Sequence, residues 1–379
     1  MSDSRSTVLV QETTAAVQRY LEVEGRRELP TSQMLPEGWV LELGHGLNRV
    51  LRRAGLHVSR VTVHDEAMRR RYSAIVKSTA LGTVLQVLVD PVGFDAAYAA
   101  LSDDESRRTF DWFISYRTAL AYLGEDADEI VPGAMSAATW QTVLQRAGRT
   151  FVDGAYHVSG LSVDSGLAEV ATTFLLEQYR LNGVVEPQIG DVVLDCGAYR
   201  GETALWFAQR VGESGIVIAF EPVVRNVEGL RRNLLANQSA HMAPVTIMES
   251  AVSSSSGTLN FNTRAEGSSR ADTASSEEVT VVTIDDVVER QHLGRVDFIK
   301  MDIEGGEVAA LKGAKETLRT FIPRLAISAY HRPNDLPDIA ALVLEACPRY
   351  RLYLSQKSPG LAETILFASG DPEGLIPHA

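Results

Sequence analysis

Apolar positions along the chain fall into two textures. From about Gly190 to Ala368, apolar runs of four or five residues alternate with longer segments whose apolar positions recur every three or four residues. That is the pattern of buried strands separated by amphipathic helices. The runs Asp191–Asp195, Ile216–Phe220, Val245–Met248, Val296–Met301 and Leu325–Ser328 predict core strands. Glu202–Val211, Val224–Asn237, Gly306–Thr320 and Leu336–Ala346 predict the helices between them. Thr258–Asn262 and Val279–Val282, set in a polar, serine-rich stretch behind Gly257, predict added strands. Arg351–Leu354 and Thr364–Phe367 are joined only by a loop and predict a closing hairpin. The expected fold class is α/β, a mostly parallel seven-stranded sheet ending in an antiparallel hairpin.

Before about Leu181 the pattern is mainly helical. Leu47–Arg53 predicts a basic amphipathic helix and Val58–Val63 a short strand. Further helices are expected at Phe94–Leu101, Asp104–Leu123 and Ala137–Ala147, the second opened by the acids of Ser102–Glu105. The division expected is residues 1–181 as a mainly helical region that shapes an acceptor pocket, and 182–379 as a ligand-binding α/β domain. The glycines of Glu42–Gly46, with Asp65 behind them, are too degenerate to read as a nucleotide loop, since no strand–helix repeat follows. The charges from Arg49 to Arg71 read as a solvated face rather than a membrane surface.

Composition narrows the function classes. A net charge of −13 argues against a nucleic-acid partner, because neutralising phosphates needs a basic face. No stretch approaches the ~18 consecutive apolar residues of a membrane span, the longest, Ala80–Val89, being stopped by Asp90 and Pro91. The polar start, Met1–Thr7, leads into no signal-like segment, and a cytoplasmic protein is expected. Two cysteines, Cys196 and Cys347, make neither a disulfide framework nor a cysteine-rich zinc site.

The chemistry is concentrated at strand ends. Asp195-Cys196-Gly197-Ala198-Tyr199-Arg200-Gly201-Glu202-Thr203 leaves one strand and opens a helix, where glycines permit a sharp turn and close ligand approach. The spacing is not the Gly-x-Gly-x-x-Gly of a pyrophosphate loop, and Asp195 would repel a phosphate. Phe220-Glu221-Pro222 ends the next strand, and an acid there, 26 positions after Asp195, can accept both hydroxyls of a ribose. An unphosphorylated nucleoside carrying a cationic amino acid matches both acids; S-adenosylmethionine is such a molecule. The competing reading is that Glu221 only caps the helix entered through Pro222 and Val223.

The third motif, Asp297-Phe298-Ile299-Lys300-Met301-Asp302-Ile303-Glu304-Gly305-Gly306-Glu307, sets Asp302 and Glu304 at a strand's carboxyl end. If the segment stays extended, both carboxylates face one way. They could otherwise cap the following helix, or hold a divalent cation; no third ligand converges in the local sequence, so no metal is assigned. His331, between a strand and Pro333, is a candidate general base, with a structural loop histidine as the alternative. Ser253–Ser256 reads as a solvent loop, Ser268, Ser269 and Arg270 as possible contacts to a polar or anionic acceptor, and His157 and His292 carry no assigned role.

These motifs resemble the FkbM family of class I S-adenosylmethionine-dependent methyltransferases. The resemblance rests on Val192–Ala198, Gly201-Glu202-Thr203, Phe220-Glu221-Pro222 and above all the Lys300–Gly305 string, with Glu249–Val252, Ser268–Arg270, Tyr330-His331 and Glu363-Thr364 in support. It covers roughly Gly190–Ala368. It implies a Rossmann-like class I methyltransferase fold with S-adenosylmethionine as cofactor. It further implies O-methylation of a hydroxyl on a sugar, glycan or secondary metabolite. By that resemblance Asp195, Gly197, Ala198, Gly201, Thr203, Glu221, Pro222, Ala251 and Asp302 bind the cofactor, and Asp302, Glu304 and His331 act at the transferring methyl. The expected partner is a small-molecule or glycan acceptor, with homo-oligomerisation left open. An N-methyltransferase and a non-catalytic scaffold remain alternatives; a nicotinamide oxidoreductase would need the phosphate-cradling glycines that are absent after Leu194.

Overall fold

A computed structural model describes residues 4–23, 78–262, 270–271 and 277–370. The expectations over residues 42–71, and Ser268 and Ser269, lie outside the described residues.

The parallel core begins at β4 (Val192–Cys196), buried at every position, as expected of a strand covered on both faces. Beside it run β5 (Ile216–Phe220) and β6 (Val245–Met248) on one side. On the other lie β11 (Phe298–Met301) and β12 (Arg324–Ser328), also parallel, then β14 (Thr364–Gly370) and β13 (Tyr350–Gln356), which pair antiparallel. The order β13-β14-β12-β11-β4-β5-β6 gives seven strands, mostly parallel and closed by a hairpin, as the sequence pattern predicts. Chain direction across the sheet reverses between β4 and β11, which makes their carboxyl ends the switch point where open α/β sheets bind ligands.

Side-chain alternation sorts the two faces. Val193, Val217, Phe298, Ala326 and Phe367 lie in one core with α7 (Glu202–Val211). That core extends into the preceding region through α5 (Ala137–Gly148), β2 (Ala155–Val158), β3 (Leu161–Val163) and the π-turn at Ala171–Leu175. Leu194, Ile218, Ile299, Ile327 and Leu366 lie in the other, under α12 (Asp335–Ala346) and the amino-terminal helices α2 (Ser78–Val89), α3 (Pro91–Ala100) and α4 (Asp104–Leu123). The residues before β4 therefore contribute buried side chains to both faces of the sheet. The earliest helix, α1 (Arg5–Val23), packs on α4. Among the described residues no single helix is long and apolar enough to cross a membrane.

Several elements differ from the sequence pattern, among them the helix Arg5–Val23 and a small antiparallel sheet over residues 151–163 that it does not predict. The helix expected over 306–320 is two, α10 (Glu307–Lys312) and α11 (Lys315–Phe321). Gly313 sits at the break, where a Cβ would lie 2.1 Å from the Ser253 carbonyl, so close approach of two backbones replaces helical continuity. The serine-rich insertion forms its own small sheet, in which β10 (Glu277–Val282) pairs with β8 (Gly257–Asn262) and with β7 (Ala251–Val252), and β8 with β9 (Arg270–Ala271).

Candidate functional site

The site is built at the carboxyl ends of β4, β5, β11 and β12. After β4 the chain turns sharply through Gly197 (φ 86°), Tyr199 (φ 48°) and Gly201 (φ 92°). The N–H groups of Gly197 and Ala198 both donate to the Phe220 carbonyl at 3.0 Å, tying this loop to the end of β5. A Cβ on Gly197 would lie 1.9 Å from the Asp302 carbonyl oxygen, so the loop after β4 and the loop after β11 touch at a position only glycine permits.

Asp195 is completely buried, and both its oxygens are engaged within the protein. Oδ2 accepts from Thr203 Oγ1 at 2.7 Å, and Oδ1 lies 3.2 Å from Lys300 Nζ. Register explains the ion pair: Lys300 and Asp195 are direct partners across parallel β11 and β4, on the same face. Lys300 also donates to the carbonyls of Cys196, at 3.2 Å, and Gly197, at 2.7 Å. Burial pulls its pKa down, but Asp195 and Asp302 outweigh that and leave it raised. Asp195 thus holds Lys300, and Lys300 holds the glycine loop.

Glu221 is 5% exposed. Its Oε1 accepts from the Val223 N–H at 2.9 Å and from Asn226 Nδ2 at 3.1 Å, while Oε2 accepts only the Tyr199 N–H at 3.0 Å. A carboxylate offers about four acceptor positions, so Oε2 retains one for a ligand hydroxyl. Capping and ligand binding are compatible roles here. Pro222 is half-buried beside it, and Ala251 lies in β7, opposite Val281 of β10.

Asp302 and Glu304 do converge, but through a turn rather than an extended segment, with Glu304 at φ 57°. Neither acid caps the following helix, whose N-cap is Gly306; Glu307 in its first turn instead ties back the loop, Oε1 accepting the Ile303 N–H at 2.8 Å. His331, on the loop after β12, reaches all three acids. Its Nδ1 is 3.0 Å from Glu307 Oε1, and its Nε2 is 3.3 Å from Asp302 Oδ1 and 3.9 Å from Glu304 Oε2. Burial lowers the imidazole pKa, but Glu307, Asp302 and Glu304 more than reverse this and raise it to about 10. With its pKa raised this far the ring carries its charge at neutral pH, Nδ1 facing Glu307 and Nε2 facing Asp302 and Glu304. A ring in that state does not take the proton expected of a general base, which leaves the carboxylates of Asp302 and Glu304 as the accepting groups at this edge.

Residues 195–354 match the family described as the Methyltransferase FkbM domain. The matched segment is similar to FkbM methyltransferase domains. It begins at Asp195 and runs through the end of β11 to β13, taking in every site residue described so far. The hexuronic acid methyltransferase AglP of Haloferax volcanii is 28% identical over 166 residues, covering 42% of this chain and 64% of that protein. The methyltransferase sdnD of Sordaria araneosa is 25% identical over 186 residues, covering 40% of this chain and 71% of that protein. The chain thus spans just under two thirds of the first relative. The crystal structure of an FkbM methyltransferase from Methylobacillus flagellatus matches with a TM-score of 0.50 and 20% identity, over 75% of this chain and 60% of that one. That likeness bears on the fold alone.

The site also holds residues that sequence reasoning gave no role. Tyr179, which precedes the matched segment, donates its hydroxyl to Asp302 Oδ2 at 2.6 Å, and its ring centroid lies 5.1 Å from Lys300 Nζ. Lys300 and Glu307 were visible inside the third motif but read as context; Tyr179 has no local signal at all.

Glu202, in the first turn of α7, is 4% exposed, and burial pushes its carboxyl up to about 8. Below pH ~4.5 it is neutral in both folded and unfolded chains. Between there and about 8 the folded chain holds a proton that the unfolded chain has lost, so stability falls as pH rises through this window. Glu202→Gln should therefore gain stability over the parent between pH 5 and 8, by at most ~1.4 kcal/mol per pH unit. Melting temperatures of both proteins across that range test this; parallel pH slopes would refute it.

Proposed function

We propose that this protein is an S-adenosylmethionine-dependent methyltransferase whose acceptor is a hydroxyl of a sugar, glycan or secondary metabolite. The observation that carries this reading is the free acceptor position on buried Glu221, one strand from the Asp302–His331 cluster, on either side of the loop that Lys300 fixes. When bound, the cofactor supplies an electrophilic methyl on a cationic sulfonium. Glu221 would hold the ribose, while the Gly197–Gly201 backbone lines the turn. Asp195 supports this from beneath, through Thr203 on Oδ2 and the Lys300 ion pair on Oδ1.

At the transfer edge the carboxylates of Asp302 and Glu304 give a negative field suited to a sulfonium. Asp302, braced by Tyr179 on one oxygen and His331 on the other, orients toward the acceptor and takes its proton. The sugar-class acceptor is supported by the relative named as a hexuronic acid methyltransferase.

Calorimetric titration with S-adenosylhomocysteine tests the cofactor assignment. A hydrogen bond to a charged group contributes on the order of 1.5–3 kcal/mol, so Glu221→Ala should weaken binding roughly tenfold or more. Equal binding by parent and variant would remove Glu221 from the site, and no binding by the parent would overturn the reading.

A further inference from the structure

The cluster at the transfer edge has the composition and layout of a ligand set. His331 Nε2, an Asp302 carboxylate oxygen and a Glu304 carboxylate oxygen all lie within 4.8 Å of one another. Two donors on one ion at about 2.1 Å stand at most ~4.2 Å apart, so small side-chain rotations would bring the three onto a common centre. We propose that Asp302, Glu304 and His331 form a divalent-cation site, with Glu307 as the group that orients the histidine.

Second-sphere geometry supports this independently of the three donors. Glu307 is fully buried, is itself held by the Ile303 N–H, and stands at Nδ1 of His331. With Nδ1 facing the buried Glu307 carboxylate at 3.0 Å, the ring presents Nε2 to the two outer acids, and a bound cation would take the place of the Nε2 proton, the arrangement that fixes metal-bound histidines. The donors are also graded in exposure: the side chains are 4% exposed at His331, 18% at Asp302 and 25% at Glu304. The site is closed at the histidine and open at the carboxylates, where water or an acceptor oxygen can complete a coordination sphere. The alternative set Glu307, His331 and Asp335 is buried at all three positions and lacks such an opening.

Charge points the same way. Glu363 lies within electrostatic reach of Asp302 and His331, and its buried Oε2 has no hydrogen-bond partner; the same holds for Oε2 of Glu307. Three carboxylates, Asp302, Glu304 and Glu307, surround one imidazole, burial pushing the Glu363 carboxyl up to about 8, while the buried lysine beneath them is paired with Asp195. Two carboxylates and one imidazole, with open positions, suit Mn²⁺ or Mg²⁺. Such an ion supplies Lewis acidity to an acceptor oxygen, which the ordinary carboxylates here do not. The functional use of the site rests on the methyl-transfer reading; the site itself does not.

The test is titration of the EDTA-treated full-length protein with MnCl₂, read by electron paramagnetic resonance and by calorimetry. One Mn²⁺ per chain is expected, competed by Mg²⁺. Glu304→Gln, at the most exposed donor, should weaken Mn²⁺ binding at least tenfold. Glu307→Gln should weaken it by about 10–100-fold. Both variants should retain S-adenosylhomocysteine binding, which certifies their folding. Absence of stoichiometric Mn²⁺ binding, or binding unchanged in Glu304→Gln, would overturn the proposal. Mn²⁺ bound without S-adenosylhomocysteine would keep the cation site and remove the methyltransferase reading; the reverse result would do the opposite.

Discussion

Lys300→Met is expected to lower the melting temperature by roughly 6–20 °C. Lys300 is 1% exposed and its ammonium is shared among Asp195 Oδ1 and the carbonyls of Cys196 and Gly197. Methionine keeps an unbranched stem of similar reach, so packing changes little and the loss is electrostatic. It leaves Asp195 charged, fully buried and short of its cation. Removing one partner of a buried pair costs about 3–5 kcal/mol, and each kcal/mol shifts the melting point of a domain of this size by about 2–4 °C. The double variant Asp195→Asn/Lys300→Met should recover part of the loss, because the stranded charge goes with it. Thermal unfolding of the three proteins decides this. A drop below about 3 °C in the single variant would mean that the pair is solvated and does not brace the loop.

Asp302→Asn should lower turnover by about 10²–10⁴-fold, the usual contribution of a positioned acid or base. The side chain keeps its size, and its carbonyl can still accept from Tyr179. What is lost is the charge beside the developing transfer and the oxygen that takes a proton. His331, held as a cation by the acids around it, does not substitute for it. Binding of S-adenosylhomocysteine should change far less, since Glu221 and the glycine loop are untouched. Steady-state kinetics alongside calorimetry separate the two effects. A fall of less than tenfold in turnover would reduce Asp302 to a brace between Tyr179 and His331.

Much of this architecture was legible from residue pattern. Val192–Cys196 and Ile216–Phe220 are continuous apolar runs because both their faces are covered, and that alone marks them as central parallel strands. The periodicity over 306–320 predicts an unbroken helix because it is local, whereas the approach of Ser253 to Gly313 that breaks it is not. At the site, the acids at strand ends were readable because a strand's carboxyl end is a fixed place in such a sheet. Their partners were not. Asp195 read as a ligand contact until the register set Lys300 opposite it. His331 read as a base until three acids, two of them from the turn after β11, closed around it.

The sequence by itself determined the order of strands and helices, the places where the chain turns at glycine, and the acids left at the strand ends. These follow from periodicity and backbone conformation, which act over a few residues. Only the tertiary structure decided which charges neutralise one another and which remain to meet a ligand. Tyr179 and Asp302 are 123 positions apart, and Asp195 and Lys300 are brought together by strand register rather than by sequence proximity. Electrostatic partnership depends on distance in space and on burial, and neither is written in any local window of the chain.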